Sequence, residues 1–395
     1  MHLALEPEQI ALREQLREYF GALVTPEVRA GLAASTGEFG EEGVYKGVIR
    51  QLGTDGWLGI GWPEEWGGQN RSMVDQLIFT DVAADFGVPI PYLTLNTVGP
   101  TIMRYGTEEQ KQYFLPKILA GDLHFSIGYS EPGAGTDLAS LRTKATREGD
   151  EWVINGQKMW TSLIQYADWI WLACRTDPDL PRHKGLSMIL VPKDAPGFSY
   201  TPVRTVAGVH TSATYYEDVR VPVSNLVGDL NGGWPLITNQ LNHERVALTS
   251  SAPLTQSLKL VREWAQQTKN PDGQRVVDTE WVQIALGRAH ARIEMLTTLN
   301  WKLASDADNG VDLSPAEASA TKIYGSELAT EVYRSLMEVV GPHAGLSADS
   351  PGAVLAGRLE RFYRSSLVMT FGGGTNEIQR DIIGYVGLGL PAAKR

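Results

Sequence analysis

Cysteine is nearly absent: Cys174 is the only one in 395 residues. The chain can therefore form no internal disulfide and no multi-cysteine metal site, and a reducing, cytoplasmic setting is expected. Histidine is also sparse. The seven histidines are scattered, and the nearest pair, His183 and His210, lacks metal-ligand spacing, so no metal is expected. Positive charge is in deficit, with 35 Lys and Arg against 46 Asp and Glu and a formal net charge of -11. A nucleic-acid partner would need clustered cations to displace counterions and is not expected. Long apolar runs are missing as well. The longest, near Leu186–Val191, is far too short for a membrane span, and the opening MHLALEPEQIALREQL has no basic segment followed by an apolar core, so it reads as a first helix.

With 43% hydrophobic residues the chain has enough apolar material for a large core, and its length predicts two or three domains. Ile10, Leu12, Leu16, Phe20 and Leu23 recur at helical spacing, and helices are also predicted over Gly43–Gly53, Ser72–Phe86 and Val98–Tyr105. Thr107-Glu108-Glu109-Gln110 forms a capping box ahead of Tyr113–Leu119. The glycine-rich stretch with Trp57, Trp62 and Trp66 reads as an ordered loop whose aromatics pack inward.

After Asp122 the period changes to that of short strands, from Phe125–Tyr129 to Thr214–Val221, broken by Gly, Pro and Asp turns. Asn155-Gly156, between Glu151–Ile154 and Gln157–Trp160, predicts a hairpin with Trp160 on the returning strand. Upstream, Pro132-Gly133-Ala134-Gly135-Thr136 offers backbone amides with no Cβ in the way of an anion. From Pro235 the pattern is helical again, with a second capping box predicted at Ser314-Pro315-Ala316-Glu317. The expected fold class is α+β: an N-terminal helical domain over 1–122, a small β-barrel or sandwich domain over 123–234, and a C-terminal four-helix bundle over 235–395.

This order of domains, with GYSEPGAGTD and INGQKMWTS in the middle and FGGGTNEIQR near the end, resembles the acyl-CoA dehydrogenase family over nearly the whole chain. The resemblance implies an enzyme that binds FAD without a Rossmann fold; no GxGxxG follows a strand and opens a helix here. It implies α,β-dehydrogenation of an acyl-CoA thioester to the trans-2-enoyl-CoA, with electrons passed to an electron-transfer flavoprotein. It also implies a homotetramer, or a heterotetramer with a similar chain. Cofactor contacts implied by the match are Tyr129, Ser130, Thr136, Trp160, Ser162, Arg275, Glu338, Thr375 and Glu377. Those implied for the substrate are Thr136, Asn242, Arg245 and Gly373.

The family places its catalytic glutamate in one of two positions. The commoner, just before Gly-Thr in the terminal motif, is Gly373 here, and glycine takes no proton. The other, before an arginine on the first helix after the β-domain, is Glu244, which is therefore expected to be the α-proton base. His243 lies about 100° around the helix from Glu244 and reads as structural. Two motifs depart from the family. Asn270–Asp278 lacks the Arg-x-x-Phe-Gly segment, and Glu338–His343 replaces Gln-x-x-Gly-Gly. With Glu on the helix and Gly373 in the terminal motif, these departures resemble subunits of actinobacterial heterotetrameric dehydrogenases acting on steroid side-chain CoA thioesters. The alternatives are an oxidase or flavin monooxygenase on the same fold, and a non-catalytic partner subunit.

Overall fold

The computed structural model describes residues 4–34, 39–247, 249–348 and 350–391, excepting the side chains of 241–247. The first unit is helical: α1 (Pro7–Leu23), α2 (Pro26–Ala33), α3 (Glu42–Thr54), α4 (Met73–Asp85), α5 (Gly99–Tyr105) and α6 (Glu108–Leu119). Leu12, Leu16 and Phe20 of α1 recur every four residues and are buried, which is why this segment is a helix lying on the core. The Thr107 capping box forms as expected. Trp57 and Trp62 turn inward, and the Trp62 indole donates to the Leu95 carbonyl at 3.0 Å.

The strands are β1 (Phe125–Gly128), β2 (Lys144–Glu148), β3 (Glu151–Lys158), β4 (Trp169–Arg175), β5 (Leu186–Pro192), β6 (Phe198–Arg204), β7 (His210–Pro222) and β8 (Leu226–Val227). They form a sheet in the order β6-β7-β3-β2-β4-β5-β8, with β1 parallel to β4. β4 and β5 are buried on both faces, hence their unbroken apolar sequences. Their alternation divides two cores. Trp171, Ala173, Met188 and Leu190 join the core shared with the N-terminal helices, while Ile170, Leu172, Cys174, Ile189 and Val191 pack on the opposite face.

The predicted hairpin at Asn155-Gly156 does not form. β3 runs unbroken through it and pairs with β7 across a bulge between Ile154 and Gly156. The Asn155 amide donates to Asp218 Oδ1 and accepts from the Asp218 backbone N–H, both at 2.9 Å, so this side chain stitches the bulge. The tight β2–β3 turn is instead Gly149-Asp150, with Glu148 facing Glu151 and Gly149 at φ 63°.

The third unit holds α7 (Gly233–Ala247), α8 (Ala252–Gln267), α9 (Glu280–Asp308), α10 (Pro315–Val340), α11 (Arg358–Ser366) and α12 (Asn376–Ile382). α10 packs against α7, α8, α9, α11 and α12. The expected capping box at Ser314 is not made: Ser314 forms no side-chain cap, and the Glu317 carboxylate accepts from Lys302 Nζ at 2.9 Å. One contact joins distant segments: the Asp308 carboxylate, at the end of α9, accepts the Met73 and Val74 amides at 2.6 and 3.1 Å and caps α4.

Candidate functional site

The site residues expected in the β-domain converge where β1 ends and β3 leaves the sheet. Past Lys158 the chain crosses β1, with the Met159 amide donating to the Ser130 carbonyl at 2.8 Å, and Thr161 N–H reaches the Ser212 carbonyl at 2.9 Å. Ser126 Oγ donates to the Ser162 carbonyl at 2.6 Å. Trp160 is thereby held at φ 64° rather than on a strand, and the residue is 57% exposed. Leu163, three residues on, also has φ 64°. Two bulky residues at positive φ in one short turn are strained; the turn leaves Trp160 exposed and packs Leu163 against the core.

Beside this turn lies the glycine loop. Glu131 and Ala134 close it through reciprocal backbone hydrogen bonds of 3.0 and 3.1 Å. Gly133, Gly135 and Thr136 are exposed, and a Cβ at either glycine would meet nothing within 4 Å, so a ligand can approach the backbone.

Beneath the loop lies an ion pair that sequence reasoning missed. Glu131 accepts from Lys158 Nζ at 2.9 Å, from the Thr143 amide at 2.8 Å and from the Arg142 amide at 2.7 Å. Lys158 is shut off from solvent and also donates to the Tyr129 carbonyl at 3.0 Å. Burial pushes the Glu131 carboxyl up, but Lys158 and the amide donors outweigh it and hold the group below its ordinary value. Burial pulls the Lys158 ammonium down and Glu131 opposes this. The pair's sequence signal was a charged residue at an inward strand position, two residues before Trp160.

α7 reaches this platform from above. Gly233 abuts β5, where a Cβ would lie 2.9 Å from the Leu186 carbonyl oxygen and the Ser187 Cα. Gly233, Leu236, Ile237 and Gln240 form its buried face, and position 244 continues that face by one turn. The Tyr129 hydroxyl donates to Gln240 Oε1 and accepts from Trp171 Nε1 at 3.1 Å. Gln240 Nε2 is buried with no partner among the described residues. Glu244, Asn242 and Arg245 lie on α7 in sequence, but their side chains fall outside the described residues.

The remaining expected residues are not drawn into this cluster by any hydrogen bond or ion pair described. Thr375 caps α12, accepting from the Ile378 amide at 3.3 Å, and Glu377 is exposed in its first turn. Before them Gly373 and Gly374 take φ 66° and 94°, and buried Lys322 donates to the Gly374 carbonyl and Asn376 Oδ1, each at 2.8 Å. Arg275 is engaged in a two-pronged contact by Asp278 at 2.7 and 2.8 Å, and Glu338 is exposed near the end of α10.

An outward indole, an open glycine loop and an orphaned buried amide suit a large ligand with a flat ring and an anionic arm, and FAD fits that description. Among the described residues no helix is long and apolar enough to cross a membrane.

Family models for the acyl-CoA dehydrogenase N-terminal, middle and C-terminal domains match residues 6–122, 126–219 and 231–388. The chain is 61% identical to acyl-CoA dehydrogenase FadE26 and 45% identical to FadE29, both of Mycobacterium tuberculosis, over the full length of each chain. Among solved structures it resembles a chain of the ChsE4-ChsE5 complex from Mycobacterium tuberculosis, with TM-score 0.93, 61% identity and all of both chains covered. It also resembles a chain of the Tcur3481-Tcur3483 steroid ACAD, with TM-score 0.92, 48% identity and again all of both chains covered.

Proposed function

The chain belongs to the acyl-CoA dehydrogenase family of oxidoreductases, and from that footing we propose that it binds FAD and desaturates an acyl-CoA thioester between its α and β carbons, with Glu244 taking the α-proton. The observation that carries the base assignment is the buried face of α7, on which position 244 follows Gln240 by one turn. An apolar acyl chain beside a glutamate raises its proton affinity toward the range a base needs.

FAD, when bound, supplies the acceptor for the β-hydride. The chain's own residues do the rest. The Ser130 backbone and the Gly133–Thr136 loop offer donors to the ring edge and the phosphates, and Thr136 also borders the thioester. Trp160 and Ser162 cover the flat ring and keep water from it. Asn242 meets the pantetheine arm, Arg245 orders the helix around Glu244, and Gly373 leaves room for the substrate. Thr375 and Glu377 face the cofactor. Arg275 and Glu338 are assigned to its distal part, as the family resemblance implies; for Arg275 this requires sharing a guanidinium already paired with Asp278.

The substrate class we propose is a steroid side-chain CoA thioester, and the partner a second, similar chain; the support is the likeness to a chain of a steroid ACAD and to a chain of a two-protein complex. An electron-transfer flavoprotein is the proposed electron acceptor, and the cytoplasm the proposed location.

The test is to purify the chain alone and with a candidate partner chain, then record flavin content and anaerobic bleaching by straight-chain and steroid CoA thioesters. Bleaching that persists in air supports the reading. Prompt peroxide formation would point to an oxidase, and retained flavin that no thioester bleaches would overturn the reading. Glu244→Gln is expected to keep FAD and lose bleaching.

A further inference from the structure

The base must stand at one height and one angle over the substrate, and a helix offers little tolerance: each residue advances about 1.5 Å and turns about 100°. Flanking the core contacts of Leu236 and Ile237, two features of the buried face of α7 fix its position on the sheet. The first is Gly233, whose missing side chain lets the helix start press against β5. The second lies seven residues on, at Gln240, where Tyr129 meets it. Positions 233 and 240 are about 20° apart around the axis, and 244 follows one turn later.

The second point is polar, and packing alone does not require that. A phenylalanine and a methionine would fill the same space without the desolvation of a hydroxyl and an amide. A hydrogen bond fixes a direction as well as a distance, which apolar contact does not. Tyr129 is itself immobilised from two sides: Trp171, fully buried in β4, donates to its hydroxyl, and Lys158 donates to its carbonyl at 3.0 Å. The oxygen of the Gln240 amide is thus pinned to the sheet, and its buried nitrogen has no partner among the described residues, as befits a side chain at the edge of a ligand site.

We propose that the Tyr129–Gln240 hydrogen bond is the latch that sets the register of α7 on the cofactor platform and so places Glu244 at the substrate α-carbon. Tyr129 and Gln240 are positioning residues. The inference rests on the reading of Glu244 as the base.

The experiment uses the FAD-loaded enzyme, with its partner chain where one is needed, as Tyr129→Phe, Gln240→Met, the double variant and Glu244→Gln. Per bound flavin, each latch variant is expected to hold KM within about twofold and lose about tenfold in kcat, equivalent to roughly 1.4 kcal/mol; Gln240→Met, at a position not among the expected cofactor contacts, should also keep its flavin content and visible spectrum. The acid limb of the kcat–pH profile should shift, because the base no longer sits in the same surroundings, and the isotope effect with α-deuterated thioester should rise. Both singles break one shared bond, so the double variant should be no slower than the slower single.

Wild-type kcat and pH profile in both singles would overturn the inference, as would additive losses. Loss of flavin or thermal stability with unchanged kcat per bound flavin would also overturn it, since that is a purely structural effect. If Tyr129→Phe does not fold, Gln240→Met carries the test. Glu244→Gln separates the two readings: full activity in that variant removes the base assignment and the latch together, whereas an inactive Glu244→Gln beside wild-type latch variants removes the latch alone.

Discussion

Lys158 Nζ lies 2.9 Å from Glu131 Oε1, and the two charges sit sealed beneath the loop that faces the ligand. Removing one partner strands the other in a poor solvent. Glu131→Gln is expected to cost about 3–5 kcal/mol at neutral pH, and adding Lys158→Met should recover part of it, both read from urea unfolding. The carboxyl is held below its ordinary value in the fold. Its contribution is therefore complete above the unfolded carboxylate range and lost as pH falls through the folded value, a slope that Glu131→Gln should lack.

His124 should govern a second, milder acid transition. Burial pushes its ring down from 6.5 to about 4, although Asp168 pulls the other way. The unfolded chain takes up a proton that the folded chain refuses, so stability from this group is full above about pH 6.5 and fades down to pH 4. The difference between those two values amounts to about 3 kcal/mol. Melting temperatures across that window should fall less steeply for His124→Phe than for the wild type.

Lys322 clamps the glycine turn ahead of α12 through Gly374 and Asn376. Lys322→Met leaves that carbonyl and amide short of a donor, at about 1–3 kcal/mol. We expect a lower melting temperature and a smaller ratio of flavin to protein absorbance after gel filtration. An unchanged ratio would show that the turn does not contribute to holding the cofactor.

Glycines on the two sides of the platform should respond in opposite ways. At Gly156 a Cβ would sit 2.7 Å from the Thr143 Cα, backbone that cannot swing aside, so Gly156→Ala should destabilise the sheet by about 1–3 kcal/mol. At Gly133 there is open space. Gly133→Ala should melt like the wild type and bind FAD more weakly, as measured by flavin titration of the apoprotein.

The layout was legible because it rests on period: helical spacing before Asp122, strand spacing after it, and helical spacing again from Pro235. Misreadings arose where a local signal had two uses. Asn-Gly is strong in a hairpin but equally suited to a bulge when its amide finds Asp218 across the sheet, and Gly149-Asp150 had already made the turn. Ser314 and Glu317 had the spacing of a capping box, but Lys302 drew the glutamate away. Within the site, motif residues such as Trp160 could be picked out by resemblance. Glu131, Lys158 and Gln240 could not, because their importance comes from meeting partners up to 111 residues away, which no local pattern records.

The cap that Asp308 places on α4 bears on the order in which the protein can be completed. During synthesis the first six helices leave the ribosome well before α9 does, yet the amides of Met73 and Val74 obtain that carboxylate only once residue 308 has emerged and folded back. Until then the start of α4 has only its local Ser72 cap, which accepts the Asp75 amide at 3.1 Å, and two of its amides wait for a residue 235 positions away. A truncated chain ending before α9 would keep the Ser72 cap but leave the Met73 and Val74 amides without that carboxylate.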